Sequence, residues 1–337
     1  MSTLKLAPAS QALLERSLAP PNPWNSIVPG SDIGTQLAHY LLHIQSLAAQ
    51  LAKSPPLTFD LVHDDQSRLS MKSNATGNQL FALMNDQLHA VRCNYPNHRF
   101  DPRIDLVMDA LTEIAELSYG CSSQLDYLQL LNEKTKRLQS CLKRKPFLEK
   151  VRRHKLEASQ RAHTLRRHFD KQLAIHGPAR LHRLEFSYVQ GQHRGYEPGK
   201  QMHEQVRSDW RALESLLAQI FEGLLFGYAW KLDYTTSQGY RYFVALLLSP
   251  TLAGAVPEVA TIRQRWCSDI TGSSGVLTDD QTAQHLLLCR YRRSISHPWQ
   301  TIEEVRAQIA DTALFLSQPD AIVEFHPKGN CKTYGYG

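Results

Sequence analysis

Cationic side chains offer the first chemistry in this chain of 337 residues. Three basic clusters recur: Lys143-Arg144-Lys145, Arg152-Arg153-His154 and Arg166-Arg167-His168. From Lys134 to Lys171 there are 14 Lys+Arg against 3 Asp+Glu, a local balance of +11. The whole chain carries +6, so everything outside that segment sums to −5. A basic stripe concentrated in this way suits a polyanion, because each neutralised phosphate releases counterions. The competing reading is a solvated helix surface.

Other reactive groups are less well placed. His39 and His43 stand four apart and share a helix face, with no third ligand nearby in sequence. Tyr291 lies in Arg290-Tyr291-Arg292-Arg293, a basic setting, yet reads more simply as a strand aromatic between solvated arginines. Asp233 and Glu185 fall on expected strands and offer an acidic pair, but nothing in the sequence puts them on one face. Gly-rich phosphate loops are absent. Cysteines at 93, 121, 141, 267, 289 and 331 form no Cys-x-x-Cys pair and read as reduced thiols. Apolar residues make up 42% and charged residues 21%, ordinary globular usage that excludes a chain disordered throughout. No apolar run approaches the roughly 18 residues of a membrane helix. The N-terminus has no apolar core of signal-peptide length, so a soluble, cytoplasmic protein without membrane contact is expected.

Elements follow from periodicity. Residues 1–30, with Pro20-Pro21-Asn22-Pro23, read as an irregular leader. A helical domain is expected over 31–133, starting with a stripe at Ile33, Leu37, Tyr40, Leu41, Ile44, Leu47 and Leu51. A polar loop over 57–77 and helices near 78–92, 102–118 and 122–141 complete it. A basic helical connector covers 134–178, broken or restarted at Pro146. An α+β domain spans 179–337. Its order is a strand at 181–189, a helix at 199–223, and a hairpin from Phe226–Tyr234 and Tyr240–Leu248. A helix near 257–268, a strand at 285–292, a helix at 301–317 and a strand at 320–325 follow. The first six elements match a split βαβ, a ferredoxin- or RRM-like antiparallel sheet with helices packed on one face.

Three local patterns in this region carry a family resemblance. One is Gly227-Tyr-Ala-Trp-Lys-Leu-Asp-Tyr234 leading to Gly239-Tyr240. Another is Trp266 with Thr271-Gly272 and Gly275. The third is Lys328-Gly-Asn-Cys-Lys-Thr-Tyr-Gly335. Residues 180–337 thereby resemble the inovirus-type replication protein family of filamentous phages, prophages and related mobile elements, relatives of the HUH endonucleases that start rolling-circle replication. The resemblance implies a His-x-His pair holding a divalent metal and a helix tyrosine that attacks DNA and stays on its 5′ end. At those positions this chain has Arg241-Tyr242-Phe243 and Phe315-Leu-Ser-Gln318. Guanidinium and phenyl have no lone pair for a metal, and phenylalanine has no nucleophilic hydroxyl.

Loss of nicking is therefore expected, with no cofactor; a divalent metal enters only if nicking survives. Binding remains. Arg241 is expected to hold a phosphate and Phe243 to stack a base. Lys143, Arg144, Lys145, Arg152, Arg153, Arg166 and Arg167 are expected to clamp the backbone. The expected partner is DNA, single-stranded or hairpin, with host or phage replication proteins alongside. Two alternatives stay open: an active metal-dependent nickase with displaced catalytic residues, and a non-catalytic protein-interaction module in phage–host conflict.

Overall fold

The computed structural model describes residues 33–337 except 64–68, 85–86, 96, 189–199, 236–238, 253–255, 280–300 and 328–331. The leader at 1–30, the strand expected at 285–292 and Tyr291 lie outside the described residues.

The N-terminal part is built on helices α1 (Ile33–Leu51), α2 (Ala75–Ala82), α3 (Gln87–Asn94), α4 (Pro102–Ser118) and α5 (Gln124–Lys143). The stripe read in α1 is its buried side: Leu41, Ile44, Leu47 and Leu51 pack against Val107, Leu111 and Leu131. Asp101 accepts from the Arg103 amide to cap α4, with Pro102 in its first turn, and Ser123 caps α5. Two expectations fail here. The loop at 57–77 contains a hairpin, β1 (Phe59–His63) and β2 (Leu69–Ser73), followed by the start of α2. Among its described side chains only Phe59 is buried, and the Phe59 backbone exchanges two hydrogen bonds with the Asn132 side chain at 2.8 and 3.0 Å. That long-range anchor is invisible to periodicity. The single helix read at 78–92 is two short ones.

Past β3 (His98–Phe100), α4 and α5, one long helix, α6 (Lys145–His176), crosses the molecule. Arg144 is extended and Pro146 sits in the first turn of α6, where its missing N–H costs nothing, so the chain restarts the helix there. Gly177, at φ 78°, ends it.

The α+β part follows the split βαβ order. Strand β4 (Arg180–Tyr188) leads to α7 (Lys200–Ile220), then to the hairpin β5 (Leu225–Thr235) and β6 (Gly239–Leu248). Next come α8 (Val256–Arg265) with a π-helical turn at Trp266–Ile270, and β7 (Gly275–Asp279). The chain closes with α9 (Ile302–Ser317), a 3₁₀ turn (Gln318–Ala321), β8 (Val323–Phe325) and β9 (Tyr334–Tyr336). The sheet order is β7-β4-β6-β5-β9, antiparallel throughout, so the α+β class and the ferredoxin-like core are present. The strand expected near 320–325 does not join this sheet. As β8 it pairs with β3, bridging to the N-terminal part, and β9 takes the sheet edge beside β5.

A further correction concerns the faces. Leu184, Phe186, Tyr242, Val244 and Leu246 pack under α7 and α8, against Trp210, Leu213, Ile262 and Trp266. The opposite face is covered too: Ala229, Phe243, Ala245 and Leu247 meet Leu165, Phe169 and Leu173 of α6 and Ile309, Ala313 and Phe315 of α9. Helices lie on both faces, not one. The nearly continuous apolar run of β6 reflects this, because a strand covered twice has no solvent face to alternate toward. Among the described residues no helix is long and apolar enough to cross a membrane.

Phe169 is central to this second layer, fully buried between α6 and the sheet. Phe169→Ala should cost about 3–5 kcal/mol in urea denaturation, whereas Leu156→Ala on the exposed side of α6 should stay within about 0.5 kcal/mol. Similar losses for both variants would contradict the packing described.

Candidate nucleic-acid interface

Helix α6 has two chemically different sides. At 3.6 residues per turn, Val151, His154, Ala158, Leu165, Phe169 and Leu173 fall on the buried side. Lys145, Arg152, Arg153, Arg166, Arg167 and Lys171 are exposed on the other. The Arg152 and Arg166 side chains are 79% and 58% accessible. Their acidic neighbours hold them weakly: Glu149 is 4.0 Å from Arg152 and Asp170 is 3.6 Å from Arg166, exposed pairs worth a few tenths of a kcal/mol. The two arginine pairs are separated by roughly four helical turns, about 21 Å. Lys143 and Arg144 lie at the α5–α6 junction, both exposed, and Lys143 Nζ donates to the Ser54 carbonyl at 3.2 Å. The clamp residues read from the sequence thus lie on the surface, five of them on one side of one helix.

Arg241 and Phe243 do not join them. Strand alternation puts both on the sheet face that α6 and α9 cover, and each is almost wholly buried. The Arg241 guanidinium pairs with Asp233 at 3.3 Å, lies 4.0 Å from Glu185, and rests 5.3 Å from the centre of the Phe243 ring. Phe243 meets Phe315 edge-on, 6.1 Å between centroids. The expectation that Arg241 holds a phosphate and Phe243 stacks a base is corrected: both side chains are buried, Arg241 against Asp233 and Glu185 and Phe243 beneath α6 and α9, so neither is open to a strand of DNA. Asp233 and Glu185, whose relative placement was open, do share a face, with Arg241 between them. Burial pushes the Asp233 carboxyl up, but His98, Arg241 and Lys231 outweigh it and hold it below the usual carboxylate range.

Phe243 and Phe315, which the resemblance sets against the two halves of a nicking motif, lie side by side. A small cavity of about 20 Å³, room for one or two ordered waters, lies between Phe243 and Phe315 and is edged by Arg183, Glu185 and Thr312. The divalent metal that the resemblance implies does not fit this site. Arg241 and Phe243 supply no ligand atom, and the Arg241 cation already lies between the carboxylates. Of the histidine pair weighed for metal, His43 is exposed on α1, and the His39 side chain lies outside the described residues. Among the described residues no three His, Cys, Asp or Glu side chains cluster to hold a metal ion.

An ionic seam that the sequence did not reveal runs under α6. Lys231 Nζ donates to Asp320 at 2.5 Å, and Arg161 donates to Asp320 at 2.7 Å and also to Glu324. Arg99 donates to Glu324 at 2.6 and 3.1 Å and to Glu157 at 2.5 Å. Three cations and three carboxylates from β3, α6, β5, the 3₁₀ turn and β8 alternate from rim to interior. Burial raises Asp320, and Lys231 and Arg161 offset only part of that; in Glu324 the two arginines win and the carboxyl is lowered. The hint in the sequence was Lys231, a cation inside the largely apolar and aromatic β5.

Compared with protein-family models, with curated proteins and with solved structures, the chain gives no match.

Asp320→Ala should cost about 3–5 kcal/mol, because it strands Lys231 and part of Arg161, while Asp320→Leu with Lys231→Met should recover most of it. Glu324 has a depressed pKa, so its contribution is present above the ordinary value of 4.5 and lost as pH falls through the folded one. In thermal melts the gap between wild type and Glu324→Gln should narrow below that pH. A gap that widens in acid would contradict the pairing.

Proposed function

We propose that this protein binds DNA, single-stranded or hairpin, along the outward face of α6, and does so without nicking it. The observation that carries this reading is the two-sidedness of α6. Its inner side is anchored by Leu165, Phe169, Leu173 and Arg161, so the cations of its outer side stand on a rigid support. The outer side bears Lys145, Arg152, Arg153, Arg166, Arg167 and Lys171, within a chain that is net acidic elsewhere. Guanidinium groups can each bond a phosphate through two parallel N–H donors, and the release of condensed counterions supplies the affinity.

The likeness to inovirus-type replication proteins supports the choice of DNA and of a mobile-element setting, with phage or host replication proteins as companions. Two positions read from separate motifs, Phe243 and Phe315, meet in space as the two halves of one nicking site would. Both lack the groups such chemistry needs: position 315 has no hydroxyl to attack phosphorus, and positions 241 and 243 have no metal ligand. The site reads as a catalytic one converted to packing and an internal ion pair.

The test is a labelled hairpin with a single-stranded tail, titrated by fluorescence anisotropy at salt concentrations from roughly 50 to 200 mM. Changing Arg152, Arg153, Arg166 and Arg167 together to Ala should weaken binding at least tenfold. It should also flatten the slope of log affinity against log salt by about 3, at roughly 0.7–0.9 for each phosphate no longer neutralised. Unchanged affinity would rule out the α6 clamp. With Mg²⁺ or Mn²⁺ present, a denaturing gel should show no protein-linked DNA; a covalent adduct would overturn the non-nicking reading. Absence of any DNA binding by the wild type would favour the protein-interaction module.

A further inference from the structure

Beside the cationic face, the C-terminal half of α6 carries a second feature that phosphate binding does not require. His168, Gln172 and His176 recur every four residues along one side of the helix, adjoining the face that bears Arg167 and Lys171. Against His168 lies Tyr336 of β9, ring centroids 4.8 Å apart and 39° between planes. Against His176 lies Phe226 of β5, 4.4 Å apart and only 5° from parallel. The two pairs are about two helical turns apart, roughly 12 Å. The close approach of β5 is possible because residue 227 is glycine: a Cβ there would press on Gln172 at 3.0 Å and on His168 at 3.2 Å.

These rings lie at the rim of the core, with His168 and Phe226 half-buried and Phe226 packed against the layer of Leu165 and Phe169. Tyr336 is 47% accessible and His176 is exposed, whereas most aromatic residues of the sheet are buried. Burial and the Lys171 charge lower the basicity of His168, outweighing its bond to the Gly337 carbonyl, which favours the uncharged ring. Cations in a row with partly open aromatic rings alongside form the combination that recognises a single strand: phosphates follow the charges, and unpaired bases stack on the rings. A duplex, its bases already stacked on each other, has no use for the second half of this arrangement.

We propose that the ledge formed by Tyr336 with His168 and Phe226 with His176 is a base-stacking platform for single-stranded DNA, whose phosphates lie on Arg167 and Lys171. This rests on the DNA-binding reading above and adds to it which form of DNA is preferred and where the bases lie.

The experiment compares three labelled probes of the full-length protein at one salt concentration: a thymidine 20-mer, an abasic 20-mer with the same number of phosphates, and a 20-base-pair duplex. Wild type should bind the thymidine strand at least about tenfold more tightly than the abasic one, since base–aromatic stacking contributes roughly 1–3 kcal/mol per base. Tyr336→Ala should remove most of that preference while leaving abasic affinity unchanged, and Tyr336→Phe should keep it. Phe226→Ala, checked for folding by circular dichroism, should act in the same direction; Tyr336 carries the test alone if that variant does not fold. Equal binding of thymidine and abasic strands by wild type, or tighter binding of the duplex, would overturn the ledge. If the arginine variant then weakens all three probes, the α6 reading stands without it. If wild type binds none of the probes, both readings fall.

Discussion

The position of α6 depends on the ionic seam beneath it. Lys231, Asp320, Arg161, Glu324, Arg99 and Glu157 alternate in sign across five elements, so each charge is taken from water only in company. A buried seam of this kind contributes little net stability, since desolvation consumes most of the attraction. Its effect is on register. Apolar packing of Leu165, Phe169 and Leu173 would tolerate a helix that slides or rotates by a fraction of a turn. Arg161 meeting both Asp320 and Glu324 admits far fewer placements. Which side of α6 faces water is set by its apolar stripe of Val151, Leu165, Phe169 and Leu173, to which Arg161 adds one fixed polar contact.

The same logic explains the closed sheet face. A ferredoxin-like sheet with helices on one side leaves the other available to ligands. Here α6 and α9 occupy it, and the polar side chains that would have faced a ligand have turned to one another. Asp233 and Glu185 flank Arg241, which in turn lies over Phe243. Arg241 is a fixed cation between two carboxylates, held within the molecule and not offered to a ligand. The cations that remain exposed stand on the outer side of α6. The proposed DNA contacts therefore move from the sheet to the outward side of the helix covering it.

Periodicity carried much of the fold. The α1 stripe, the Pro146 restart, the strand at 181–189 and the β5–β6 hairpin were all legible, because each is a local pattern of apolar spacing or backbone restriction. The misses share a different cause. The β1–β2 hairpin depends on Asn132, the β3–β8 pair joins segments over two hundred residues apart, and β9 is too short to have a period. Strand pairing between distant segments leaves no trace in the spacing of either one.

For the candidate site the division is sharper. The sequence alone determined that positive charge is gathered in one helical segment, and that positions 241, 243 and 315 lack the groups for metal-assisted nicking, because both are matters of residue type. It also put Arg241 and Phe243 on the same side of their strand, because side chains alternate with a period of two. Tertiary structure alone decided that this side is covered, that Arg241 bonds to carboxylates within the molecule, and that α6 turns Arg161 inward while Arg152, Arg153, Arg166 and Arg167 stay exposed. The physical reason is that exposure belongs to packed surfaces. A residue's type sets what it can bond to, and only the arrangement of distant elements sets what it meets.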